Sequence, residues 1–163
     1  MRGLLGVGLL LGLGALAFFL GVQRGVWVEV DGRGVLFLPL KEEERFALSW
    51  VHSVDGIRVW DVFEYREGRV YLVETRTPYF AAGLGEVPGR GRVVGMAGHA
   101  LAIVGIDEPL EGWVLRIGSP EVRHTLHHRG CAYDLSARYA HRRLTFRPGV
   151  RLGLGRGEAC ATW

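Results

Sequence analysis

Residues 49–80, SWVHSVDGIRVWDVFEYREGRVYLVETRTPYF, constrain the fold most, because two turn signals divide them into three strands of defined register. Asp55-Gly56 and Glu67-Gly68 are dipeptides that suit two-residue hairpin loops. Around them lie Val, Ile, Trp, Phe, Tyr and Thr, whose branched or aromatic side chains pack well on a pleated surface. With two-residue loops, Val54 pairs with Ile57, Val51 with Trp60 and Trp50 with Asp61. The second hairpin then pairs Tyr65 with Val70, Phe63 with Leu72 and Asp61 with Glu74.

Successive strand residues point to opposite faces, so this register sorts the side chains. One face carries Trp50, His52, Asp61, Phe63, Tyr65, Val70, Leu72, Glu74 and Arg76. Asp61 and Glu74 are then direct cross-strand neighbours, with His52 and Arg76 diagonal to Asp61. Two carboxylates facing each other repel. Arg76, a protonated His52, a bound cation or a shared proton would offset that repulsion. The expectation is a small binding or docking cluster at the end of an apolar face; the plainer alternative is a solvated polar end of that face. A one-residue slip in register would disperse it.

A chain of 163 residues supports one domain with a sizeable core. Further strands are expected at 26–30 and 35–38 around Asp31-Gly32, and at 100–106, 113–117, 122–128, 142–146 and 150–154. Residues 81–98, with six glycines and Pro88, read as a long loop, and 134–140 as one short helical turn. Many short strands punctuated by Gly and Pro predict an all-β fold, a single antiparallel sandwich or partly closed barrel.

Residues 3–22 are uncharged and rich in Leu. As a helix at 1.5 Å per residue they would span the ~30 Å hydrocarbon core of a bilayer. The run exceeds a usual signal-peptide core, and its one A-x-A, Ala15-Leu16-Ala17, lies inside it, which favours an N-terminal membrane helix over a cleaved signal. The expected division is an anchor at 1–24 and an all-β domain at 25–163. Cys131 and Cys160 are the two cysteines, and outside the cytoplasm they are expected to form a disulfide. The charge of +3 is spread along the chain, which argues against a nucleic-acid partner.

Neither catalysis nor a cofactor is expected. Ser53 and His52 are adjacent and would point to opposite faces, so they form no nucleophile–base pair. His52, Asp61 and Glu74 are acceptable ligand types for zinc or iron, but Arg76 beside them disfavours a cation, so no metal is expected. His124, His127 and His128 read as surface histidines, with His127 facing away from the other two.

The order His52-Ser53-Val54, Asp61, Glu74-Thr75 and then Gly83 in a glycine-rich loop resembles a family of small bacterial proteins, domain of unknown function number eighteen-fifty. The resemblance continues through Trp113 and Leu115-Arg116-Ile117-Gly118 and covers 47–154. Here Ala82-Gly83-Leu84-Gly85 is a shifted variant of that family's alanine between two glycines. The resemblance implies an all-β module with an N-terminal membrane-targeting segment, encoded beside TRAP transporters of the TAXI type, which import organic acids or amino acids. It marks His52, Ser53, Asp61, Glu74, Thr75 and Gly83 as shared positions.

The expected function is therefore a membrane-anchored accessory or binding module of such a transporter, with its β-domain facing the periplasm or cell exterior. Its expected partners are the lipid bilayer and the transporter's membrane subunit or binding protein. The alternative is a small enzyme or metal-binding protein using His52, Asp61 and Glu74. A third possibility is a structural envelope module.

Overall fold

Alternating apolar residues and tight turns build the chain into strands. They are seen in a computed structural model that describes residues 20–80, 89–96, 100–154 and 160. Strand β1 (Leu20–Val30) turns through Asp31-Gly32, both at positive φ, into β2 (Arg33–Pro39). Strands β3 (Glu44–Val51), β4 (Arg58–Arg66) and β5 (Arg69–Thr77) follow, then β6 (Arg92–Met96), β7 (Ala100–Pro109) and the short β8 (Leu115–Arg116). A 3-10 turn, Pro120–Val122, leads to β9 (Thr125–His128), β10 (Cys131–Asp134), helix α1 (Leu135–Tyr139) and β11 (Arg143–Leu154). The Asp134 carboxylate accepts from Ala137 N–H and starts α1.

Among the described residues the strands form two antiparallel sheets rather than a closed barrel. One runs β2-β1-β11-β8 and the other β10-β9-β3-β4-β5-β7-β6. Strand β1 pairs with β11 along its whole length, from Leu20 opposite Leu154 to Val30 opposite Leu144. Val26, Val28, Leu144 and Phe146 of the first sheet meet Phe46, Leu48, Phe63 and Leu72 of the second in one buried cluster. Phe146 sits 5.2 Å from Phe46, 5.5 Å from Phe63 and 5.7 Å from Trp113 between ring centroids, so aromatic contacts tie the layers together.

The structure departs from the sequence-based expectation at several places. Residues 1–19 lie outside the described chain, but Leu20, Gly21 and Val22, expected to end a membrane helix, belong to β1. The first described strand thus includes Leu20 to Arg24, and no helix among the described residues is long and apolar enough to cross a membrane. Residues 92–96, read as loop from the neighbouring glycines, pair with β7 as an edge strand. Strand β11 passes unbroken through Pro148-Gly149 where two strands were expected. Past Leu144 its ladder partner among the described residues is β1 alone, and proline is tolerated on a strand edge.

Gly25 marks the closest backbone approach in the first sheet. A Cβ there would lie 2.0 Å from the Leu38 carbonyl oxygen, whereas at Gly21 the nearest atom is 3.9 Å away. Gly25→Ala is expected to destabilise by about 1 to 3 kcal/mol through overpacking, and Gly21→Ala to be near neutral, in urea unfolding.

Cys131 is joined to Cys160 by a disulfide, with Cα atoms 5.3 Å apart. Closing a loop of sequence separation 29 stabilises by about 3 to 4 kcal/mol in the chain-entropy model. Adding reductant, or replacing both cysteines with serine, should lower the unfolding free energy by that amount and move the urea midpoint down. An unchanged midpoint would mean that the bond does not constrain the unfolded chain.

Candidate binding surface

Strand β5 holds the shared Glu74-Thr75 pair, and its register decides where those side chains go. The Glu67-Gly68 turn is a two-residue loop, and Tyr65 faces Val70 and Phe63 faces Leu72 as the sequence predicts. Val73 then stands as an extra residue, and beyond it Val62 faces Glu74, Asp61 faces Thr75 and Trp60 faces Arg76. One inserted residue reverses the parity of the rest of the strand. Asp61 and Glu74 therefore point to opposite faces, and the expected four-residue cluster does not assemble.

The first hairpin differs too. Its loop spans Ser53 to Gly56, closed by His52 N–H to the Ile57 carbonyl at 2.7 Å and Gly56 N–H to the His52 carbonyl at 2.8 Å. Val51 pairs with Arg58 and Trp50 with Val59, a shift of partners that keeps each residue on its expected face. His52 lies at this turn, with Nδ1 3.0 Å from Asp55 Oδ2, and Ser53 is exposed beside it. Gly83 falls outside the described residues. Among the described residues, no group of three or more His, Cys, Asp or Glu side chains is placed to hold a metal ion. The His52, Asp61 and Glu74 set proposed as metal ligands is split by the bulge.

On the inner face, Asp61 is mostly buried and accepts a hydrogen bond from Thr75 Oγ1 at 2.6 Å. Burial pushes its carboxyl up to about 6, against the opposing pull of the Thr75 hydrogen bond and the Arg90 charge. Glu108 adds a smaller upward push.

The outer face carries the polar residues. Glu74 is buried and accepts from Arg76 Nε at 2.5 Å, and Glu64 accepts from Arg45 Nε at 2.9 Å. At the start of β3, at the parity of core-facing Phe46, Glu44 takes Arg129 Nε and an Nη nitrogen at 2.7 and 2.8 Å, with His128 Nε2 at 3.0 Å. Burial alone would raise the Glu44 carboxyl. Hydrogen bonds from Arg129, the Lys41 N–H and His128, with the Arg129 charge, outweigh it and hold the group down at about 2.

These guanidinium groups rim a groove of about 300 Å³ whose lining includes Ala47, Trp60, Val62, Arg45, Arg76, His127 and Arg129. The Trp60 and His127 rings lie 4.5 Å apart. Ser49 Oγ is 2.9 Å from His127 Nε2 and accepts from Arg58 at 3.2 Å. Burial, then the Arg58 charge, lowers the His127 pKa and keeps the ring neutral. Ser49 is fully buried, so this chain of contacts positions His127 rather than presenting a nucleophile. An indole floor with a rim of oriented guanidinium groups can hold a flat or aliphatic body that ends in a carboxylate.

Sequence reasoning missed this groove because its parts come from four strands far apart in the chain. It placed His127 away from its two neighbours, which the structure shows. It also read His124 and His128 as surface residues, whereas both are buried. The His124 ring takes the Gly118 N–H at 3.0 Å on Nδ1 and stacks on Trp50, and burial lowers its pKa to about 4.

The Domain of unknown function (DUF1850) family matches residues 46–135, so the chain belongs to that family. No curated protein and no solved structure matches it.

The Asp61 environment makes a signed prediction. Between about pH 4 and pH 6 the native state binds more protons than the unfolded chain, so stability falls as pH rises through that window. At pH 7 the penalty is about 2 to 3 kcal/mol. Asp61→Asn keeps an acceptor for Thr75, so it should match the parent near pH 4 and exceed it by that amount at pH 7 in urea melts. Parallel curves for the two proteins from pH 4 to 7 would remove the assignment.

Proposed function

We propose that the chain is an extracytoplasmic binding module, held at the membrane and without catalysis, that serves as an accessory to a TAXI-type TRAP transporter. The observation that carries this reading is the outer-face groove. There Glu74, one of the positions that the family resemblance marks, orients Arg76 directly across from Trp60. Aromatic and arginine side chains are the usual anchors of protein interfaces. Each arginine on this rim is held by a carboxylate and loses little freedom on binding.

Two further observations support the location and the partner. A disulfide at Cys131 suits a compartment that oxidises thiols. The link to a transporter rests on the resemblance in the order of His52, Asp61, Glu74 and Thr75. The groove docks on the transporter's membrane subunit or on its binding protein.

The test is recovery of those subunits with the full-length chain from detergent-solubilised membranes. Trp60→Ala and Arg76→Ala lie on a sheet surface and should leave the melting temperature within a few degrees of the parent. Each should weaken the complex by about 2 kcal/mol, roughly 30-fold in Kd. Transporter subunits that co-purify equally with the parent and both variants would reject the groove as the docking site.

A further inference from the structure

The core-facing stripe of the first sheet runs past the core. Val26 and Val28 on β1, with Leu144 and Phe146 on β11, are buried. Continuing outward at the same parity, Val22, Val150 and Leu152 are 64 %, 59 % and 72 % exposed. The pairing of β2 with β1 ends at Gly25 opposite Pro39, and that of β8 with β11 is confined to Arg143 and Leu144. Leu40 N–H still bonds the Arg24 carbonyl at 3.1 Å, and beyond it residues 20–23 and 151–154 form a two-stranded ribbon with no further strand paired to it among the described residues. Val22 faces Leu152 and Arg24 faces Val150 on one surface, and Gly21 faces Gly153 on the other. Such a ribbon is marginally stable in water, and its apolar side chains lie on a single surface.

We propose that the open end of this ribbon is seated in the headgroup layer of the membrane, so that the chain meets lipid twice, through its N-terminal apolar run and through the returning strand β11. The inference rests on the membrane-held reading above. Val22 is the last residue of the uncharged run 3–22, and Arg24 is the first charge after it. A run held in hydrocarbon leaves the bilayer at this point. The β1–β11 register then fixes Leu152 at the depth of Val22, and Val150 at the depth of Arg24. Apolar side chains at that level enter the boundary between headgroups and acyl chains, and Arg24 lies level with the phosphates.

The experiment uses the full-length chain in nanodiscs of phosphatidylethanolamine and phosphatidylglycerol. Nitroxide labels are attached at Val22→Cys, Leu152→Cys and Val54→Cys after the native disulfide has formed. Val54, 78 % exposed in the 53–56 loop, is the reference. All three positions are exposed, so labelling leaves the core intact. Collision with oxygen and with a water-soluble nickel chelate reports the depth of each label. The expected result is labels 22 and 152 at a common depth, about 5 to 10 Å into the headgroup and acyl boundary, with label 54 in water. Label 22 in lipid with label 152 in water overturns the ribbon contact and leaves the anchored reading standing. Both labels in water overturns both. A label at 152 shielded from oxygen and nickel alike means that protein covers the stripe, which also overturns the contact.

Discussion

The alternation of side chains along β5 is interrupted at Val73, and the separation of apolar from charged residues across the seven-stranded sheet depends on that interruption. Before it, Val70 and Leu72 face the core; after it, Thr75 and Thr77 do, all four buried. An uninterrupted strand would drive Glu74 inward against Asp61, placing two carboxylates side by side in low dielectric. Instead Glu74 turns outward to Arg76. Strand β5 lies between β4 and β7, and its register shifts against both at the same level. The β5–β7 register also shifts between Leu72 and Glu74, where β7 sets residues 105–107 opposite Val73, with Gly105 and Asp107 at positive φ.

That sorting leaves the carboxylates in contrasting environments. Glu64 and Glu74 each meet an arginine on the outer side of the sheet and Glu44 meets Arg129 at the start of β3, and these ion pairs are formed where water still reaches the guanidinium groups. Asp61 accepts from the Thr75 hydroxyl, with no guanidinium of the described residues in hydrogen-bond contact. A carboxyl retained where burial raises its pKa to about 6 works against stability at neutral pH. Asn or Thr would satisfy the same hydroxyl without that cost. That cost falls on the inner face, at a position that the family resemblance marks.

The all-β character, the two-residue turns at Asp31-Gly32 and Glu67-Gly68, and the strands around them were legible because local chemistry specifies each. Asp55-Gly56 carried the same signal and gave a longer loop. There His52 closes the turn through its backbone, and the register moved by two, leaving the faces unchanged. The bulge was not legible, since Val73 is as good a strand residue as its neighbours and only the partner strands reveal that it is extra. A trace does exist: Leu72-Val73 breaks the alternation, and Thr75 and Thr77 then resume it on the buried side. The groove was invisible for a different reason. Ala47, Trp60, Arg76 and His127 become neighbours only through the order β9-β3-β4-β5, which no local pattern encodes.

The groove opens on the face of the seven-stranded sheet that points away from the four-stranded sheet, whereas the exposed ribbon belongs to the four-stranded sheet itself. Contact between ribbon and lipid therefore leaves the groove open to a partner. The two are mechanically linked as well. Leu154 ends β11, and six residues later Cys160 is bonded to Cys131, next to the Arg129-Gly130 turn on the groove's rim. Six residues span about 20 Å at most, so the disulfide limits how far the rim can move from the end of the ribbon. Arg129 in that turn is held from the other side by two hydrogen bonds to Glu44, at the start of β3.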